Sequence, residues 1–172
     1  LDVPIVLPPL VSGLALLVFF GPFLGKTLSE LGWEVVFTPA GVVVAQWFIA
    51  TPFAIKTFRQ AFDDIDQRME NMARVLGYSP FGVFLHVTLP LARKGLSGGL
   101  VMAWARALGE FGATAMLAGI TRMKTETLSV AIFLNMTVGD IQFAMITAVI
   151  MMAMAVALLA TFKFISRLEL RM

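Results

Sequence analysis

The sequence predicts an all-α protein, a polytopic bundle of transmembrane helices, and three observations carry that prediction. Of its 172 residues, 59 % are hydrophobic and only 14 % are charged, whereas soluble domains run at about half apolar and about a quarter charged. The mean hydropathy is +0.88. The apolar residues are gathered into four runs of membrane-crossing or nearly membrane-crossing length, with charged stretches between them. Residues 1–172 are therefore read as a single transmembrane domain with four spans, one charged loop at 69–90 and one short interfacial segment.

The first run, residues 3–25, is uncharged but is broken by Pro4, Pro8, Pro9 and Pro22. Proline is tolerated in the first turn of a helix, so the span is expected to begin at Pro8-Pro9 and to end near Pro22. Residues 26–38 carry Lys26, Glu30 and Glu34 and read as a loop, with Trp33 as an interface anchor. The second span covers 35–55, starting at Pro39 and holding Pro52 in its interior, where neighbouring helices can satisfy the freed carbonyl. Lys56, Arg59, Asp63, Asp64 and Asp66 then mark a return to water.

Residues 69–90 carry charges, a glycine and a Ser-Pro break between long apolar runs. Met69, Met72, Ala73 and Leu76 recur at helical spacing and so share a face, with Gly77 as the stop. Ser79 is placed to cap a second short helix with Pro80 at its first position, ending at Leu89-Pro90. A helix–Gly–helix unit between spans is either a docking piece for a soluble partner or a solvated loop, and periodicity alone leaves both open. The third span runs from Gly95 to Gly119 behind Arg93-Lys94. Residues 128–136 are too short to cross and are expected to lie at the interface or to re-enter. The fourth span, 141–162, is uncharged and about 33 Å long as a helix.

Lys and Arg residues orient the four spans. One side holds Lys56, Arg59, Arg68, Arg74, Arg93, Lys94, Lys163, Arg167 and Arg171, the other Lys26, Arg122 and Lys124. The 69–90 loop and the C-terminus are thus expected in the cytoplasm and the protein in the cell membrane.

Several function classes drop out. A net charge of +2 with no basic run interleaved with aromatics gives no footprint for nucleic acid. With no cysteine and the single histidine His86, thiolate and histidine-rich metal sites are excluded. Gly25-Lys26-Thr27 lacks the glycine five residues earlier that a phosphate loop needs; Phe20 is there and Gly21 is one residue late. No cofactor is expected, and ATP chemistry falls to a partner chain. No nucleophile–base set assembles around His86, so the chain is not expected to be an enzyme. Asn135-Met136-Thr137 matches a glycosylation sequon by pattern only. A channel would need charge rings or a filter loop, and neither is evident. The chain starts at Leu1 without a basic n-region or cleavage site, which is read as beginning part-way through a longer protein.

The third span carries the chemistry. Gly95 and Gly99 form a Gly-x-x-x-Gly pair that permits close helix approach. Arg106 and Glu110 lie four residues apart on one face, at a depth where charge is costly and marks pairing or function. Either the two neutralise each other or they contact a translocated ion. Gly109, Gly112, Ala113 and Thr114 make the adjoining surface smooth and slightly polar, so that Arg106, Glu110 and Thr114 are the candidates for a translocation path.

The 69–90 stretch resembles the cytoplasmic coupling loop of ABC-importer permeases, whose signature reads Glu-Ala-Ala…Gly…Ile-x-Leu-Pro. Here Asn71-Met72-Ala73 stands where that family has Glu-Ala-Ala, with Glu70 one position earlier, and Gly77, Val87 and Leu89-Pro90 supply the rest. The resemblance implies a short helix resting in a groove of the ATP-hydrolysing subunit, with Glu70, Asn71, Met72, Ala73, Leu76, Gly77, Val87, Leu89 and Pro90 as its coupling residues. The run ARALGEFGAT at 105–114 is similar to that of molybdate and tungstate permeases; sulfate permeases usually carry tyrosine for the phenylalanine. Leu7-Pro8-Pro9…Gly13…Leu16-Leu17, Ala118-Gly119 and Thr125-Glu126-Thr127-Leu128 are similar to the same subgroup. The likeness covers nearly the whole chain. It implies two permease copies around a path, two ATPase subunits below, an extracytoplasmic oxyanion-binding protein above and alternating access. It also implies six spans per subunit, so that the first two are missing here. Sulfate or phosphate is the alternative cargo.

Overall fold

The computed structural model describes residues 7–168, with side chains through residue 163. Pro4, Glu169, Arg171 and the Arg167 side chain lie outside the described residues. Those residues form nine α-helices and two π-helical segments, with no strand among them. In chain order these are α1 (Pro9–Val18), a π segment (Phe19–Phe23), α2 (Gly25–Glu30), α3 (Pro39–Asp63), α4 (Gln67–Val75), α5 (Pro80–Val83), a second π segment (Phe84–Thr88), α6 (Leu89–Leu108), α7 (Gly112–Ala118), α8 (Leu128–Thr137) and α9 (Ile141–Leu168).

The helix starts reflect local chemistry. Thr38 accepts from the Gly41 N–H at 3.4 Å with Pro39 in the first turn of α3. Asp66 accepts from Arg68 N–H at 2.9 Å, and Thr127 from Val130 N–H at 3.3 Å. Each side chain takes one of the amides that a helix start leaves unpaired.

Four expectations need correction. The loop expected at 26–38 is helical over its first part, as α2. The helix before it does not stop at Pro22 but widens into a π segment that contains it. The second short helix of the 69–90 stretch does not end at Leu89-Pro90: it runs through the second π segment straight into α6. The reason is the same at both prolines. A proline ring clashes with the carbonyl four residues back and donates no hydrogen bond, and a π turn widens the helix at that point without ending it. Lastly, the third span is not one helix over 95–119. It starts at Leu89, breaks at 109–111 and resumes as α7.

Two helices are long and apolar enough to cross a membrane, Pro39–Asp63 and Ile141–Lys163, with mean hydropathies of 1.3 and 2.5. Only 28 % and 11 % of their apolar windows are buried in the protein. A core helix of a soluble fold would be mostly buried. Here Val43, Trp47, Val149 and Met152 point outward, which an aqueous surface does not tolerate on this scale. The chain is a helical membrane protein.

Helices α3 and α6 pack antiparallel. Gly95 lies against Ala61, and a Cβ at Gly99 would stand 2.8 Å from the Phe58 ring. The Gly-x-x-x-Gly pair thus makes the close approach that its spacing predicts. α9 runs antiparallel to α6 in turn, with Phe162 near Gly98 and Met151 near Gly109. The end of α3, helices α4 and α5, the start of α6 and the far part of α9 therefore share one end of the bundle. The core sits toward the other end, where Leu16 of α1, Ala45 and Ile49 of α3, and Ala113 and Leu117 of α7 meet.

Candidate functional site

Two places concentrate the sequence-predicted residues. The first is α4, an exposed helix at one end of the bundle. Its C-terminus closes as the sequence predicts. Gly77 has φ +90°, Tyr78 N–H donates to the Ala73 carbonyl at 3.2 Å, and Gly77 N–H donates to the Arg74 carbonyl at 3.0 Å. This paired arrangement needs a left-handed residue just past the helix, which glycine enters without steric cost. Ser79 then caps α5 by accepting from Gly82 N–H at 3.2 Å.

The face of α4 differs from the one that the spacing predicts. Ala73, grouped there with Met69, Met72 and Leu76, is 5 % exposed and turns inward. A shallow apolar recess is lined instead by Arg68, Asn71, Met72, Val75 and Leu76. Val75, absent from the predicted face, is 88 % exposed. It was legible as the 72-75-76 continuation of a stripe that starts at 68. Glu70 also faces inward, where Oε1 accepts from Thr88 Oγ1 at 2.7 Å while Oε2 stands 3.9 Å from Arg74. Val87 and Leu89 are half-buried at the base of α6, and Pro90 is exposed there. His86 is exposed, with Nδ1 3.0 Å from the Gly82 carbonyl oxygen.

The second place is the break between α6 and α7. Arg106 Nη1 lies 2.7 Å from Glu110 Oε2, and the Glu110 side chain is only 1 % exposed. Glu110 Oε1 accepts from Ala113 N–H at 2.8 Å. The carboxylate thus does two things: it neutralises Arg106, and it takes an amide at the start of α7 that the break frees. The Arg106 guanidinium also stands 5.7 Å from the Phe53 ring centroid, a cation–π distance that anchors it to α3. Its side chain remains 28 % exposed. Of the two alternatives for the pair, mutual neutralisation is what the geometry displays.

The break is stitched from outside by α8. Ser129 Oγ donates to the Glu110 carbonyl at 2.8 Å, and Phe133 packs on Phe111 with centroids 5.0 Å apart. The carbonyl that the break frees is thus satisfied by protein. Residues 128–136 form α8, which turns Val130, Ala131 and Asn135 into the protein. Asn135 of the sequon is engaged by its own Nδ2 to Ala131 and by Arg122, each at 2.7 Å. Thr114 is fully buried like Glu110, and its hydroxyl has no partner among the described residues. Among the described residues, no three of His, Cys, Asp or Glu converge as metal ligands do.

A family model for binding-protein-dependent transport system inner membrane components matches residues 1–169. The chain is 42 % identical over 154 residues to a probable molybdenum ABC transporter permease protein of Haloferax volcanii, covering 89 % of this chain and 55 % of that protein. It is 36 % identical over 160 residues to the probable transport system permease protein NifC of Clostridium pasteurianum, covering 92 % of this chain and 56 % of that one. With a probable sulfate transport system permease protein of Anthoceros angustus it shares 33 % identity over 153 residues, 88 % of this chain and 53 % of the other. The chain spans about half the length of the curated relatives it matches.

Proposed function

We propose, because this chain belongs to the family of binding-protein-dependent transport system inner membrane components, that it is the membrane-spanning permease of an ABC importer for molybdate or tungstate. It is a permease component and not itself an enzyme; ATP hydrolysis belongs to a partner subunit. The observation that carries the docking part of this proposal is α4. An amphipathic helix at one end of the bundle, held as a preformed element by Gly77 and exposing Met72, Val75 and Leu76, has the form in which helices enter grooves. The cargo is supported by the molybdenum permeases among its relatives. Sulfate is the second reading, favoured by the relative named for sulfate transport.

In this mechanism four spans cross the membrane: α1 with its π segment, α3, the α6–α7 unit and α9. Two copies surround the path, and two ATPase subunits dock on the α4 helices in the cytoplasm. A binding protein delivers the anion from the other side. ATP binding draws the docking helices together, and α6 reorients around the path. Arg106 is neutralised by Glu110 in this conformation but stays partly exposed on α6, which keeps it the candidate for contact with the oxyanion once α6 reorients.

The test is ATP-driven uptake of molybdate, with sulfate as competitor, in vesicles containing the permease, its ATPase and its binding protein. No ATP-dependent uptake of any oxyanion defeats the proposal; preferential sulfate uptake moves it to the second reading. Gly77→Val gives the matching variant. No atom lies within 4 Å of a Cβ at that position, so its cost is the left-handed backbone alone, about 1–2 kcal/mol. The variant is expected to insert normally, to bind the ATPase weakly and to lose uptake, whereas Arg74→Ala at the rim should lose little. Normal uptake by Gly77→Val removes α4 as the coupling element.

Orientation has its own check. With no native cysteine, Met123→Cys, at a position 93 % exposed, should label from outside intact cells. Asp64→Cys, just past α3, should label only after permeabilisation. The reverse pattern overturns the topology.

A further inference from the structure

Helix α4 is joined to its neighbours in the chain by two non-helical turns, at 64–66 and at the left-handed Gly77, and its main neighbours are α5 and the second π segment. A turn interrupts the helical hydrogen-bond ladder, so the backbone alone does not make α4 and the next helix one continuous rod. A displacement of α4 therefore reaches the membrane part only if something stiffens the connection. Side-chain contact between α4 and the start of α6 supplies a candidate. Thr88 Oγ1 donates to Glu70 Oε1 at 2.7 Å. The Thr88 residue is 8 % exposed and the Glu70 side chain 26 %, so the bond is partly shielded from water, and hydrogen bonds to ionised acceptors are the short, strong ones.

We infer that Thr88 is a positioning residue for transport: its hydroxyl, holding Glu70, locks the docking helix to the base of α6, so that the two move as one body. The inference rests on the permease reading above and adds to it the residue pair that transmits the motion. Thr88 closes the π segment and leads directly into α6, whose Arg106 lies eighteen residues further along one continuous helix. That helix is rigid over the distance, about 27 Å at 1.5 Å per residue. Glu70 thus serves an internal role and stands apart from the exposed stripe of Met72, Val75 and Leu76.

The experiment uses Thr88→Val, which keeps the shape and deletes the hydroxyl, and Thr88→Ser, which keeps the hydroxyl. In the assembled transporter, molybdate taken up per ATP hydrolysed should fall roughly tenfold in Thr88→Val. The ATPase should remain bound, and Thr88→Ser should restore the ratio. An unchanged ratio in Thr88→Val, or a loss of uptake that merely tracks loss of bound ATPase, overturns the lock. A second measurement needs no cargo. Hydrogen exchange of the α4 amides in the permease should quicken about tenfold in Thr88→Val and not in Thr88→Ser. Unchanged exchange overturns the lock even if the unsubstituted transporter moves no molybdate, an outcome that would count against the functional reading alone.

Discussion

Glu110→Gln is expected to lower the thermal stability of the purified permease sharply and to leave little of it monodisperse. The substitution leaves the Arg106 guanidinium, 2.7 Å away, without its counter-charge in a site where the carboxylate is 1 % exposed. Removing one partner of a buried ion pair costs about 3–5 kcal/mol. Arg106→Gln alone should also destabilise, because it leaves the 1 % exposed Glu110 carboxylate with only the Ala113 N–H at 2.8 Å to offset its charge. The double variant Arg106→Gln/Glu110→Gln should recover much of the loss, since two neutral amides can hydrogen-bond to each other and a glutamine oxygen can still accept from Ala113. Melting temperature and size-exclusion profile of the three variants measure this cycle. Uptake by the double variant then separates structure from transport. Good assembly with poor uptake assigns Arg106 a contact with the anion; good assembly with good uptake confines the pair to holding the break together. A double variant no more stable than Glu110→Gln refutes the pairing argument.

Gly95→Leu should abolish folded protein. Even a methyl group at Gly95 would overlap the Ala61 side chain, and α3 and α6 meet again one turn away, where Gly99 faces Phe58 and Thr57. Overpacking a closely fitted contact costs about 1–3 kcal/mol for small insertions, and an isobutyl group forces the helices apart along the whole crossing. The specific check is a compensating swap. Gly95→Ala should be destabilising, and Gly95→Ala with Ala61→Gly should regain most of the stability because the methyl has only changed sides. Gly98→Ala is the control: its Cβ would meet only the far edge of the Phe162 ring at 3.3 Å, which can swing aside. Helix propensity favours alanine over glycine at both positions, so equal damage from Gly98→Ala and Gly95→Ala would mean that the contact with Ala61 is not what Gly95 serves.

Short-range features were open to reading from the chain because neighbouring residues create them. The cap of Ser79, the start at Thr38-Pro39 and the left-handed Gly77 each depend on groups within a few residues. The Arg106–Glu110 pair belongs with them, since a four-residue spacing places both on one face of any helix. Features that depend on which side of a helix is covered were not readable. Ala73 and Met72 are adjacent in sequence and both fit an apolar stripe, yet one is buried and the other exposed. Only the presence of α5 and the π segment on one flank distinguishes them. The break at 109–111 left a trace in Gly109 and Gly112 around an acidic residue, but glycines also occur in unbroken membrane helices.

Composition and periodicity by themselves determined an apolar, helical chain, the side of its runs richer in Lys and Arg, a short amphipathic helix closed by Gly77, and a charge pair in the third apolar run. All of these come from hydropathy, helical spacing and backbone preference, quantities that each stretch of chain carries alone. The tertiary structure decided the rest. It turned Glu70 away from the exposed stripe of α4 toward Thr88, carried the 69–90 stretch without interruption into α6, buried Thr114, and set α8 against the break so that Ser129 could satisfy the Glu110 carbonyl. The physical reason is common to these four. An exposed polar group or an open turn is free or costly according to the group that packs over it, and that neighbour comes from another part of the chain.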